Sequence, residues 1–173
     1  VTRVSQEYMG LADAEVNIIH ADARTFLETA TESYDLILVD TYHTSNIPAH
    51  LATKEFFALA QSRLAEDGVL ALNAASAQGE FLDTLVNTVA SAFKEVGVVA
   101  IPGSFNSMIV GHEGFELGAV PGDLEERASY VQENLNRMVY SDSRESFTDD
   151  KMSRIEILTE DMYMELMKDF TLR

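Results

Sequence analysis

Residues 36 to 39, Leu-Ile-Leu-Val, form an unbroken apolar run between Asp35 and Asp40. A strand that faces solvent on one side alternates apolar and polar residues, and this one does not. Such a run is expected in a parallel sheet with helices on both faces. Asp40 then stands at the carboxyl end of the strand, beside the crevice where open α/β sheets bind ligands.

The surrounding pattern repeats this unit. "VNIIHADARTFLETA" predicts a short strand over Val16 to Ile19 and a helix from near Ala23. Phe56, Phe57, Ala60 and Leu64 fall at helical spacing between Thr53 and Leu64, with Gly68 as terminator. "GVLALN", 68 to 73, predicts a third strand, and Leu82, Leu85, Val86, Val89 and Phe93 an amphipathic helix. Strand alternating with helix predicts an α/β, mostly parallel sheet with right-handed crossovers.

After Gly97 the rhythm changes. Two apolar runs on either side of Pro102, Gly103 and Ser104 predict a hairpin with an antiparallel strand at the sheet edge. "FELGAV" offers a further short strand, and Leu124, Ala128, Val131, Leu135 and Met138 mark a helix. Residues 141 to 151 are polar and read as a surface loop. Thr159 is placed to cap a last helix through Phe170, with Glu160 and Asp161 at its positive end. The expected organisation is a partial catalytic domain over 1–120 with a helical extension over 121–173.

Charge narrows the partners. Twenty-nine acidic residues against 12 basic give a formal charge of −17, with no cluster of lysine and arginine to bind phosphates. Nucleic acid is therefore not an expected partner. A cationic ligand suits the sign of the field, although on charge alone a soluble acidic surface is the favoured account. The absence of cysteine excludes disulfides, thiolate metal sites and a cysteine nucleophile. No run of 18 apolar residues and no signal peptide is present, so the expectation is no membrane partner and a cytoplasmic location. Val1 is not an initiator methionine, which fits an expressed portion or a processed product.

Asp22 and Asp40 both follow predicted strands. If those strands are neighbours, both carboxylates face one crevice, where an aspartate can accept from an adenine amino group or take a proton from an amine. Each could instead cap the turn or helix that follows. Asn73, ending the third strand, faces the same crevice or serves only as a turn residue. His20, His43 and His50 match no common zinc spacing, so no metal is expected. Gly111, Gly114 and Gly118 precede an apolar run rather than a helix and read as turn glycines, not a phosphate loop. No serine sits in a GxSxG elbow.

From about Val16 to about Gly118, the chain resembles the spermidine synthase family, the polyamine aminopropyltransferases. The resemblance is carried by "DARTFL", "YDLILVDTY", "TKEFF" and "LAEDGVLALN". It implies a Rossmann-like fold of the S-adenosylmethionine-dependent methyltransferase type, and passage of an aminopropyl group from decarboxylated S-adenosylmethionine to putrescine or a related small cationic amine. No tightly bound cofactor is implied.

By position, the resemblance implies that Asp22 accepts from the adenine amino group, with Ala23 beside the base and Pro48 and Ala49 in the loop over the nucleoside. Asp40 becomes the acid that orients and deprotonates the amine, with Tyr42 and His43 at the substrate. The family carries a second aspartate three positions on, in "DSSD" or "DSTD", where this chain has "DTYH" and His43. The glycine-rich loop and ribose-binding acid of the family have no equivalent before Val16, so the portion is expected to lack the glycine-rich half of the fold. Homo-oligomerisation is the family's habit. A small-molecule methyltransferase using S-adenosylmethionine and a non-catalytic domain that kept the fold remain the alternatives, since fold does not settle function.

Overall fold

A computed structural model of the chain describes residues 2–11, 16–42, 47–76, 78–114 and 125–171. The helices are α1 (Thr2–Tyr8), α2 (Ala23–Thr29), α3 (Lys54–Ser62), α4 (Glu80–Ala90), α5 (Glu125–Asn134) and α6 (Met152–Thr171). The strands are β1 (Tyr34–Val39), β2 (Leu64–Ala74), β3 (Glu95–Ala100), β4 (Ser107–His112) and β5 (Asn136–Met138). They form one sheet in the order β1-β2-β4-β3-β5.

β1 and β2 pair in parallel, and the remaining pairs are antiparallel. The expected hairpin forms, but its return strand β4 inserts between β2 and β3 rather than lying at the edge. Gly103 turns the hairpin with φ +71°, a left-handed conformation that suits a residue without Cβ. Gly111 answers a different need, because a Cβ there would sit 2.7 Å from the Phe93 ring.

Residues directly opposite one another share a sheet face. One face therefore carries Ile37, Val39, Leu70, Leu72, Val98 and Ile109. These pack with α2, α3 and α4 into one core whose largest side chains include Phe56, Phe57, Leu85 and Ile109. α4 forms where expected: Leu82, Leu85, Val86 and Val89 are buried, and Glu80 and Asp83 occupy its electropositive first turn.

The other face is another matter. Leu36 and Leu38 are 58% and 59% exposed, so the apolar run of β1 is covered on one side only. The cause is topological: among the described residues, α5 reaches this face at its far margin, where Leu135 lies over Gly97. The expected strand over Val16 to Ile19 also does not form, since no described strand lies alongside to complete its hydrogen bonds. Asp22 and Asp40 thus do not follow adjacent strands.

Several boundaries move. Gly68 lies inside β2 and does not terminate α3, which ends at Ser62 with Arg63 as its C-cap. Met138 belongs to β5, not to the helix before it. Thr159 is buried within α6 and donates to the Ile155 carbonyl, while the helix begins at Met152 after a 3-10 turn over Asp149–Lys151. The polar segment 141–151 is docked rather than free, because Asn87 of α4 donates to the Ser146 hydroxyl at 2.8 Å and accepts from the Ser141 N–H at 3.0 Å. "FELGAV", Gly118, Leu124 and His43 lie outside the described residues.

Candidate active site

Two hydrogen-bonded groups stand where the sequence placed functional side chains. The first lies at the carboxyl end of β1. Val39 pairs with Leu72, which puts position 40 beside position 73, and Asn73 pairs with Met108, two residues beyond Asn106, so Asn106 approaches Asn73 diagonally from the start of β4. Asn73 Nδ2 donates to Asp40 Oδ1 at 2.9 Å, and Asn106 Nδ2 donates to Asn73 Oδ1 at 2.9 Å. The Tyr42 hydroxyl donates to the Asn73 carbonyl oxygen. Burial, with the nearby Asp40 charge adding, pushes the Tyr42 phenol up to about 12, against the opposing hydrogen bond with the Ala75 backbone. Asp40 itself is exposed, and its Oδ2 has no hydrogen bond among the described residues.

The second group joins α2 to the turn over Ala49–Leu51. Asp22 is the N-cap of α2, with Oδ1 accepting from the Thr25 N–H at 3.0 Å, and its Oδ2 lies 2.7 Å from His50 Nε2. The Thr25 amide and then His50 hold the Asp22 carboxyl below the usual carboxylate range. Ala23 opens α2, and Pro48 and Ala49 lead into the turn that carries His50. The four residues assigned to a nucleoside are therefore held by two short elements that meet at Asp22 and His50. Capping, the simpler role for Asp22, is present, and so is a second contact.

A clamp behind this turn fixes its position. Arg24 binds Asp149 through two hydrogen bonds of 2.8 and 2.6 Å and also reaches the His50 carbonyl at 3.3 Å. The fully buried Thr53 caps α3 and donates to Asp149 Oδ1 at 2.7 Å. Arg24 and then Thr53 hold the Asp149 carboxyl below its ordinary value of 3.8. A carboxyl with a depressed folded pKa contributes stability that is complete above its unfolded pKa and is lost as pH falls through the folded one. Asp149→Asn is accordingly expected to lower stability at neutral pH and to flatten its decline below about pH 4. Urea unfolding across that range measures both; parallel wild-type and variant curves would remove Asp149 from the acid response.

Among the described residues, no three His, Asp or Glu side chains are grouped to hold a metal ion. A cavity of about 320 Å³ beneath α5, lined by Val69, Val110, Val131 and Leu135, includes neither Asp22 nor Asp40. Asn106 was not legible in the sequence as a site residue. Its one signal is its place two residues after the predicted Pro102–Ser104 turn, at the same end of the sheet as Asp40.

The model for the spermine/spermidine synthase domain matches residues 2–110. The chain belongs to that family. A probable polyamine aminopropyl transferase of Bifidobacterium longum is 30% identical over 96 residues, covering 54% of this chain and 21% of the relative. A polyamine aminopropyltransferase of Vibrio vulnificus is 28% identical over 114 residues, covering 64% and 38%. The chain thus spans well under half the length of these relatives.

Among solved structures, a probable spermidine synthase from Corynebacterium glutamicum superposes with TM-score 0.63 at 18% identity, over 86% of this chain and 60% of that one. Human methyltransferase-like protein 13, in complex with SAH, gives 0.58 at 21%, over 82% and 70%. These likenesses establish the Rossmann-like fold shared by spermidine synthases and S-adenosylmethionine-dependent methyltransferases. Within that fold, the spermidine synthase domain of this chain keeps its two aspartates on separate elements, each with its own hydrogen-bond partner.

Proposed function

We propose that this chain is the portion of a polyamine aminopropyltransferase that carries the amine-activating carboxylate, Asp40. One observation supports the role above the others: in a member of this family, the exposed Asp40 stands at the carboxyl end of a parallel strand with one oxygen tied to Asn73. The co-substrate is decarboxylated S-adenosylmethionine and the acceptor putrescine or a related amine.

An amine of that class is protonated at neutral pH and has no lone pair to use. Asp40 holds the ammonium through its other oxygen and takes the proton as the nitrogen attacks the propyl carbon next to sulfur. The C–N bond forms as the C–S bond breaks, and the electron pair of that bond stays on sulfur, turning the sulfonium into the neutral thioether of methylthioadenosine. Because the leaving group is already activated, positioning and charge complementarity supply most of the remaining acceleration. The net charge of −17 favours both cationic reactants.

Asp22, Ala23, Pro48 and Ala49 form the nucleoside end in this reading, with the adenine amino group sharing Asp22 Oδ2 with His50. Tyr42 and His43 are the amine-binding residues in this reading, His43 by the family resemblance alone. Incubation of the whole protein that contains this portion with decarboxylated S-adenosylmethionine and putrescine is expected to yield spermidine and methylthioadenosine in equal amounts, read by mass spectrometry. A methylated product from S-adenosylmethionine would transfer the assignment to methyl transfer, and no product from either donor would leave a non-catalytic domain.

A further inference from the structure

We propose that Asn106 is a positioning residue for Asp40, acting through the side-chain amide of Asn73. The proposal rests on the reading of Asp40 as the group that takes the amine's proton.

A primary amide has two unlike ends, an oxygen that only accepts and an NH2 that only donates. The Asn73 amide lies between Asp40, whose ionised carboxylate can only accept, and Asn106. It can serve Asp40 only with Nδ2 toward the carboxylate, which turns Oδ1 toward position 106. That position must then supply a donor, and Asn106 Nδ2 does so at 2.9 Å. An acceptor at 106 would favour the opposite orientation and set Asn73 Oδ1 against Asp40, two acceptors face to face.

Both ends of the chain of contacts are anchored. The Asn106 N–H donates to Ser104 Oγ at 3.0 Å, and its carbonyl accepts from the Ile101 N–H at 2.9 Å, so the hairpin turn fixes its backbone. The Asn73 carbonyl accepts from the Tyr42 hydroxyl. Asp40 is exposed and, without the Asn73 donor, nothing described would hold its carboxylate plane. The hairpin between β3 and β4 therefore reaches the reacting group of β1 across the intervening strand. An exposed carboxylate confined to one orientation presents its second oxygen to the amine more often than one that rotates.

The test compares Asn106→Ala and Asn106→Asp in two readouts. The first is the side-chain amide resonances of Asn73 in 15N-edited NMR, which need no substrate; Asn106→Ala, Asn106→Asp and Asp40→Asn are all expected to shift them. The second is steady-state aminopropyl transfer. Asn106→Ala is expected to lower kcat about tenfold and Asn106→Asp about a hundredfold, with the amine KM changed less than about threefold and the melting temperature held.

Equal losses in the two variants, accompanied by a fall in melting temperature, would show that Asn106 serves only the hairpin and would overturn the proposal. Unchanged kcat in both would overturn it as well. Absence of turnover in the unsubstituted protein would instead sink the reading of Asp40. In that case Asn73 resonances that ignore the substitutions also reject the amide chain, whereas resonances that move retain it as the device that orients the Asp40 carboxylate.

Discussion

Asp40→Asn is expected to lower kcat/KM for aminopropyl transfer by about 10²- to 10⁴-fold, the span usual for a lost general base. The substitution is nearly isosteric, and the new amide oxygen can still accept from Asn73, so the contact across β1 and β2 survives. What disappears is the charge that holds an ammonium and the basic oxygen that receives its proton. Asp40 lies on an exposed position, so the melting temperature should be retained. Transfer kinetics beside a thermal melt measure the two effects. A variant that folds and keeps its turnover would take Asp40 out of the chemistry.

Phe147→Ala is expected to destabilise the fold by about 3 to 5 kcal/mol, the usual cost of truncating a core phenylalanine. The side chain is fully buried, with its ring centroid 5.9 Å from that of Phe81. Its backbone is engaged at both ends: the N–H donates to Thr88 Oγ1 and the carbonyl accepts from the Lys54 N–H, each at 2.9 Å. The residue thus plugs the segment after β5 into the junction of α3 and α4. Urea unfolding monitored by circular dichroism gives the difference. A loss below about 1 kcal/mol would mean that the cavity closes by local collapse and that this segment is only loosely seated.

Phe147 also shows where sequence reasoning stops. One aromatic in "SDSRESFTDDK" gives no period to read, and ten polar neighbours outvote it. Its burial depends on Asn87 and Thr88 of a helix about 60 residues earlier, and nothing local announces that contact. α4 was legible because its own apolar spacing decides its face. The strand over Val16 to Ile19 was misread for the reverse reason: its composition suits a strand, but a strand exists only beside a partner.

The site divides along the same line. Asp40 was legible from its place at a strand end, and Asp22 was legible twice, as a cap and as a candidate ligand residue. The pairing of Asp22 with His50 and the hydrogen-bonded series Asp40, Asn73 and Asn106 arise from which strands become neighbours. Insertion of β4 beside β2 brings position 106 to Asn73, and no motif encodes that order.

The bare side of β1 bears on how molecules of this chain treat one another in solution. Among the described residues β1 lies at the margin of the sheet with Leu36 and Leu38 uncovered, and an unpaired margin is prone to edge-to-edge association. Asp35 and Asp40 bracket those leucines, so two such margins cannot meet without bringing like charges together. That repulsion extends about 8 Å at physiological ionic strength and only about 3 Å in molar salt. Colloidal stability is therefore governed at this margin by electrolyte: the acidic surface that suits a cationic ligand also keeps the uncovered leucines of neighbouring molecules apart.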